Sequence, residues 1–139
     1  MPRPPSPQPT DVELQILGVL WERGPCTVRQ VHEALSASRE TGYSTTLKMM
    51  QVMKAKRLVV RDDSVRPQVY RAARSREQTQ LGILDDLVQK AFGGSARRLV
   101  MRMVSANRVS PEELAEVQRL VAEAEKAEPQ PTEREGGES

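Results

Sequence analysis

Four polar side chains whose chemistry suits nucleic acid lie close together in residues 44–57. Ser44, Lys48 and Gln51 recur at spacings of four and three residues, and Thr45 lies beside them. On a helix these residues would share one side and present hydroxyls, an ammonium and an amide. Such groups can hydrogen-bond to base edges and to phosphate oxygens. We therefore predict that Ser44, Thr45, Lys48 and Gln51 read DNA bases.

The other face of the same segment has a different character. Thr46, Met50 and Met53 fall together there. An apolar helix face most often packs into a core. We assign the two methionines to the core, together with Trp21.

The remaining residues that could do chemistry are isolated. Cys26 is the single cysteine and His32 the single histidine. A lone cysteine is most simply a small apolar filler, and no neighbouring group would clearly activate its thiolate. His32 has no cysteine at metal-ligand spacing. We predict no catalytic residue, no metal site and no cofactor, and therefore no enzyme.

Charge is distributed unevenly along the 139 residues. Up to Pro111 there are 18 basic and 10 acidic side chains, a net of +8, whereas from Glu112 onward there are 3 and 9, a net of −6. Residues 39–76 alone carry 10 basic and 3 acidic side chains, a net of +7. Such a basic block suits a polyanionic partner. A solvated charged surface is the alternative.

The sequence around these residues predicts three helices and a hairpin. Capping boxes at Thr10/Glu13 and Thr27/Gln30 begin helices over about 11–23 and 28–35, and the third helix covers 44–57. Two β-prone runs, 58–61 and 68–71, flank a turn-rich segment and predict a hairpin with a basic tip.

This element order is that of a winged helix-turn-helix, whose third helix enters the major groove of DNA. Thr27, Tyr43, Lys54 and Arg66 are then candidates for contacts to the DNA backbone, with Arg66 at the tip of the wing. Winged helices also occur in proteins that bind other proteins. A protein-interaction scaffold without operator specificity is therefore the alternative function.

The C-terminal third predicts three further helices with narrow apolar stripes. The stripes are too thin for an independent globule and are better buried against a second subunit, although an intramolecular cap on the winged helix is the alternative. The predicted dimerisation residues are Leu81, Leu84, Val88, Leu99, Met103, Leu114, Val117, Leu120 and Val121.

The fold class is therefore mainly α with a small β-hairpin wing. Residues 10–74 are predicted to form a DNA-binding winged helix and residues 75–127 a helical dimerisation region. Residues 1–9, with five prolines, and the acidic residues 128–139 are predicted to be disordered. There is no signal-peptide pattern and no apolar run near the roughly 18–20 residues of a membrane span, so we expect a cytoplasmic protein.

From Thr10 to about Ala127 the chain resembles the penicillinase-repressor family (BlaI/MecI/CopY type). The segments that carry the resemblance include residues 13–21 (ELQILGVLW), 43–50 (YSTTLKMM), 69–71 (VYR) and 92–95 (FGGS), with a Ser-Pro-Glu-Glu helix start at Ser110. The resemblance implies homodimeric repressors that bind dyad-symmetric double-stranded operators. In one branch of the family it also implies a partner, a membrane-bound sensor protease.

The chain departs from this family's pattern at informative positions. Members usually carry arginine where this chain has Val52 and glycine where it has Arg57. The family's cleavage junction, typically Asn-Phe, corresponds to Arg102-Met103 here, and the cysteine cluster of the copper branch is missing. The operator sequence therefore cannot be transferred from relatives.

Overall fold

The structure, a computed structural model, describes residues 8–127. The predicted acidic tail and the first seven residues of the predicted N-terminal arm lie outside the described residues. The elements in chain order are α1 (Asp11–Arg23), α2 (Val28–Ser36), α3 (Tyr43–Ala55), β1 (Val59–Asp62), β2 (Val69–Ala72), α4 (Arg76–Ala91), α5 (Ala96–Ser105) and α6 (Pro111–Ala127). This mainly helical chain with one antiparallel hairpin confirms the predicted fold class.

The chain divides into two compact units, with the boundary between Leu87 and Val88. This boundary lies within α4, whereas the sequence placed it ahead of that helix. Two contacts hold the beginning of α4 to the first unit. The indole N–H of Trp21 donates to the carbonyl of Arg74 at 2.9 Å, and the Arg76 guanidinium lies 5.4 Å from the centre of the Trp21 ring.

One apolar core organises the first unit. Both methionines assigned to the core are fully buried, and Trp21 is partly buried at the edge because its indole nitrogen needs a hydrogen-bond partner. The core residues are Ile16, Leu17, Leu20, Cys26, Val28, Val31, Leu35, Met50, Met53, Val59 and Tyr70.

The hairpin is anchored to the helices at its base. β1 and β2 pair antiparallel, with Val60 opposite Arg71 and Arg61 opposite Tyr70. The loop before α2 joins β2 through a single β-bridge, in which Cys26 and Tyr70 exchange backbone hydrogen bonds of 2.9 and 2.7 Å. Burial raises the pKa of the Cys26 thiol, against the opposing effect of the Arg23 charge. Cys26 is therefore a core residue, as predicted.

α3 ends in a tight turn rather than continuing to Arg57 as the sequence predicted. Arg57 adopts a left-handed backbone conformation, with φ of 67°. A residue with a Cβ is strained in this region, and glycine is not. This backbone conformation explains why the family usually has glycine at this position. Arg57 forms the same turn, but its Cβ makes the left-handed conformation less favourable in free energy.

In the second unit, the described helices leave much apolar surface exposed. Val117, Leu120 and Val121 of α6 are each about half exposed. α6 begins with the predicted cap: the Ser110 hydroxyl accepts from Glu113 N at 3.0 Å, and Ser110 N donates to the Glu113 carboxylate at 2.8 Å. No helix within residues 8–127 is long and apolar enough to cross a membrane.

A single carboxylate joins the beginning of α1 to the end of α3. Glu13 Oε1 accepts from Thr10 N at 2.9 Å, which completes the predicted capping box, and from Lys56 Nζ at 2.7 Å. Burial alone would raise the pKa of Glu13, but the hydrogen bond from Lys56, those from Thr10 and the Lys56 charge outweigh it. The pKa therefore lies below its ordinary value of 4.5.

We predict that Glu13→Gln lowers the free energy of unfolding at pH 7 by about 1.5–3 kcal/mol, the usual worth of a hydrogen bond to a charged group. Since folding lowers this pKa, the ionised form stabilises the fold above about pH 4.5, and that stabilisation is lost as the pH falls through the folded-state value. Denaturant unfolding at several pH values measures the difference. Glu22→Gln, at an exposed position of α1, is the control. A difference between Glu13→Gln and the native chain that persists undiminished at pH 2 would contradict this role.

Candidate nucleic-acid interface

α3 is fixed to α2 by a buried polar contact. The Thr46 hydroxyl is fully buried, donates to the carbonyl of Gly42 at 3.4 Å and lies 3.2 Å from Nδ1 of His32. Which of the two atoms donates in the contact between His32 and Thr46 depends on the tautomer of the imidazole. His32 therefore has a structural contact at the start of α3.

The outer side of α3 carries all four residues predicted to read bases. Ser44, Thr45, Lys48 and Gln51 are exposed, and within residues 8–127 none of them makes a side-chain hydrogen bond or ion pair. Residues 41–61, which include α3, contain five basic side chains and no acidic one. Lys56 and Arg61 are ion-paired with Glu13 and Asp63, whereas Lys48 and Lys54 of α3 are exposed and make no ion pair within the described residues. The exposed surface of α3 is thus polar, carries two unpaired lysines and is available to a partner.

α3 forms a ridge between two hollows. On one side, Gln51 lines a groove of about 340 Å³ between the start of α2, α3 and the hairpin. On the other side, Thr45 and Lys48 border a shallow hollow with Val52. A helix that stands out between two depressions has the shape required to enter a DNA groove.

The groove beside the hairpin brings together three of the predicted contact residues. Thr27 and Tyr43 line it with Gln51. The Thr27 hydroxyl accepts from Gln30 N at 3.1 Å in the predicted capping box, and its own proton can still be donated to a phosphate. Since the N-terminus of α2 also favours negative charge, this corner suits a phosphate group.

The Tyr43 ring is held by two neighbours. The Arg29 guanidinium lies 5.2 Å from its centroid, and the His32 ring meets it edge-on at 5.6 Å and 82°. Tyr43 is 41% exposed. Its ring orientation is therefore set by protein contacts while much of the side chain remains open to a ligand.

The groove also contains residues that sequence reasoning missed. Arg29, Arg61 and Gln68 line it, and each can donate to a phosphate or a base edge. Arg29 could have been found, because it lies in the first turn after the predicted Thr27 cap. Arg61 and Gln68 become neighbours of α3 only through the pairing of β2 with the Cys26 loop, which no local sequence pattern reveals.

The wing is less basic at its tip than the sequence suggested. Arg61 Nε donates to Asp63 at 2.5 Å, and this contact raises the pKa of the guanidinium. Asp62 accepts from the hydroxyl and the backbone N–H of Ser64, which lower its pKa. Among the described residues, Arg66 makes no ion pair and is exposed. It is the cation that the wing tip presents to solvent.

The predicted dimerisation residues differ in accessibility. Leu81 and Leu84 of α4 and Met103 of α5 are exposed, Leu99 and Leu114 are half-buried, and Val88 is buried by its own chain. Val88 is thus the least available of them to a second subunit. Leu87, Val100 and Met101 are exposed apolar residues that the sequence analysis did not select.

Three helices, an antiparallel hairpin beside the third helix and a polar, basic outer side of that helix define a winged-helix protein. Residues 9–123 match the family described as penicillinase repressor, and the chain belongs to that family. The chain is similar to the protein named transcriptional regulator BlaI of Mycobacterium tuberculosis, in strains CDC 1551/Oshkosh and ATCC 25618/H37Rv. Each of these is 37% identical over 119 residues, which cover 83% of this chain and 83% of the relative. The family resemblance noted in the sequence is thereby confirmed, and the family is one of transcriptional regulators rather than enzymes.

The two sides of α3 predict opposite responses to mutation. We expect Met50→Ala to lower the free energy of unfolding by about 2–5 kcal/mol, because it removes a fully buried side chain and leaves a cavity. Lys48→Ala, two residues away on the exposed side, should change it by less than about 0.5 kcal/mol. Denaturant unfolding of both variants measures this. Equal losses would mean that the exposed side of α3 also packs against protein.

Proposed function

We propose that the chain is a sequence-specific, DNA-binding transcriptional repressor that acts as a homodimer on a dyad-symmetric operator. The observation that carries the proposal is the outer side of α3, where hydroxyl, ammonium and amide groups stand exposed and unpaired within the described part of the chain. In the free protein these groups are hydrated, and they can exchange water for base edges and phosphate oxygens on binding DNA.

The residues divide into two roles on this proposal. Ser44, Thr45, Lys48 and Gln51 lie on the ridge and read base edges in the major groove. The phosphate contacts flank the ridge and fix its register without reading sequence; they are Thr27, Tyr43, Lys54 and Arg66. To these we add Arg29 and Arg61, which line the same groove.

The homodimer follows from exposed apolar surface. Most of the stability of a helix in a protein comes from packing of its apolar face, yet Val117, Leu120 and Val121 of α6 are about half exposed. A second copy would cover this stripe in an isologous interface, and two copies of α3 would then meet two halves of a dyad-symmetric site. Repression in the cytoplasm follows when operator occupancy excludes RNA polymerase.

Release from the operator requires a signal that weakens the dimer. The family resemblance points to a sensor protease as one source, with Arg102-Met103 at the corresponding position in α5. Because Arg102-Met103 replaces the Asn-Phe pair typical of the family, the family's cleavage specificity does not carry over to this junction.

A protein-interaction scaffold is the competing function, and DNA discrimination separates the two. We expect the purified chain to retain the DNA upstream of its own gene in a gel shift with competitor DNA. Lys48→Ala should reduce the ratio of operator to random affinity, because a good base contact is worth about 1–3 kcal/mol per site and the change occurs twice in a dimer. Lys126→Ala, an exposed charge near the end of α6, is the matched control. Weak binding that is equal for all sequences would support the scaffold.

The dimer has its own test in α6. We expect Leu120→Asp to convert the protein to a monomer in sedimentation equilibrium and to weaken operator binding. The reason is that a buried, unpaired carboxylate in an interface is strongly unfavourable. Ala122→Asp adds the same charge away from the stripe and should leave the dimer intact. A native chain that sediments as a monomer at micromolar concentration would contradict the proposed homodimer and its binding to a dyad-symmetric operator.

A further inference from the structure

We propose that the basic face of α5, together with Phe92, is a binding site for a small organic anion. The ligand would carry a phosphate or carboxylate group on an aromatic or aliphatic body. The site lies entirely in the second unit and does not depend on the proposed contacts to DNA.

α5 has two sharply different faces. At 100° per residue, Arg97, Arg98, Met101, Arg102 and Ser105 fall within one sector. The opposite sector contains Leu99, Val100, Met103 and Val104. Two of these, Leu99 and Met103, belong to the predicted dimerisation stripe. A dimer formed through that stripe therefore leaves the arginine face accessible.

The arginine face carries positive charge that its surroundings do not balance. Residues 91–111 contain four arginines and no acidic side chain. Within residues 8–127, Arg97, Arg98 and Arg102 make no ion pair. Arg98 and Arg102 are one turn apart, a like-charge spacing that destabilises an isolated helix. An anion bound between them would remove this repulsion and form charge-assisted hydrogen bonds.

The same face borders an open surface depression whose size suits a small molecule. Its volume is about 530 Å³, and its lining includes Phe92, Met101 and the three arginines. Small-molecule sites in proteins commonly occupy about 300–1,000 Å³ and combine apolar walls with a few convergent polar groups. The two apolar side chains would contact the body of the ligand while the guanidiniums hold its charge.

The glycine turn ahead of α5 leaves room for this arrangement. Gly93 has φ of 60°, and a Cβ at this position would lie 3.4 Å from Nη1 of Arg98. A side chain here would be strained because of the positive φ, while its contact with the guanidinium would be an ordinary one. With this turn at Gly93, Phe92 and Arg98 line the same depression.

Titration of the isotope-labelled full-length protein by NMR tests the proposal directly. The probes are phenyl phosphate, benzoate and inorganic phosphate. We expect saturable shifts at Phe92 and along α5 with phenyl phosphate or benzoate, at a dissociation constant on the order of 1 mM or lower. Inorganic phosphate should bind about tenfold more weakly, because it has no apolar body to contact Phe92 and Met101.

The variant Arg98→Gln/Arg102→Gln should lose at least about tenfold in affinity for the organic probes, since each lost charge-assisted hydrogen bond is worth about that factor. Arg119→Gln is the control, because Arg119 is already paired with Glu116 and Glu123 in α6. Without ligand, the double variant should melt at a slightly higher temperature than the native chain, which also shows that it folds.

Three results would overturn the proposal. The first is the absence of saturable shifts with either organic probe. The second is equal binding of inorganic phosphate and phenyl phosphate, which would indicate an adventitious ion only. The third is a double variant that binds the probes as tightly as the native chain but shows a weaker salt dependence of DNA binding. A decrease of about 0.9 in the slope of log affinity against log salt concentration for each lost phosphate contact would assign the arginine face to DNA. Because the probe titration contains no DNA, failure of the proposed repressor function would leave its outcome unaffected.

Discussion

The buried carboxylate of Glu13 makes hydrogen bonds at the ends of two different helices. Its oxygen caps the first turn of α1 through Thr10 and also receives the Lys56 ammonium from the turn after α3. A buried carboxylate without partners would be very unfavourable, so the fold is constrained to bring Lys56 to this position. The end of α3 is thereby held against the beginning of α1.

A second polar contact acts at the other end of α3. Nδ1 of His32 is hydrogen-bonded to the buried Thr46 hydroxyl, which also contacts the carbonyl of Gly42. With both ends held, α3 cannot rotate about its axis without leaving a buried polar group unpaired. Met50 and Met53 must then face the core, and Lys48 and Gln51 must face outward. The chemistry available to a partner thus depends on two hydrogen-bonded groups that do not themselves contact it.

Local patterns in the sequence predicted the helices and the two sides of α3 because the required information is local. The capping boxes at Thr10 and Thr27 are formed as expected, since each involves residues only three positions apart. The pairing of Cys26 with Tyr70 spans 44 residues and has no sequence signature. Arg61 and Gln68 were missed because such long-range pairing leaves no local pattern, and the contact between Glu13 and Lys56, 43 residues apart, was missed for the same reason. Arg29 lies within the predicted Thr27 cap and could have been found locally.

The exposed stripe of α6 and the small core of the first unit have the same cause, which is a shortage of large apolar side chains. Only 3% of the residues are aromatic, so the chain has few large side chains with which to bury apolar area. In the first unit Tyr70 lies in the single core with Trp21 packed against it, whereas the second unit has Phe92 and aliphatic stripes on short helices. On the proposed dimer, those stripes would be buried only by association, so the stability of the second unit would rise with protein concentration. DNA affinity would follow the same dependence, because two copies of α3 engage the operator only when the stripes have paired. A signal that weakens the dimer would then release DNA without touching α3.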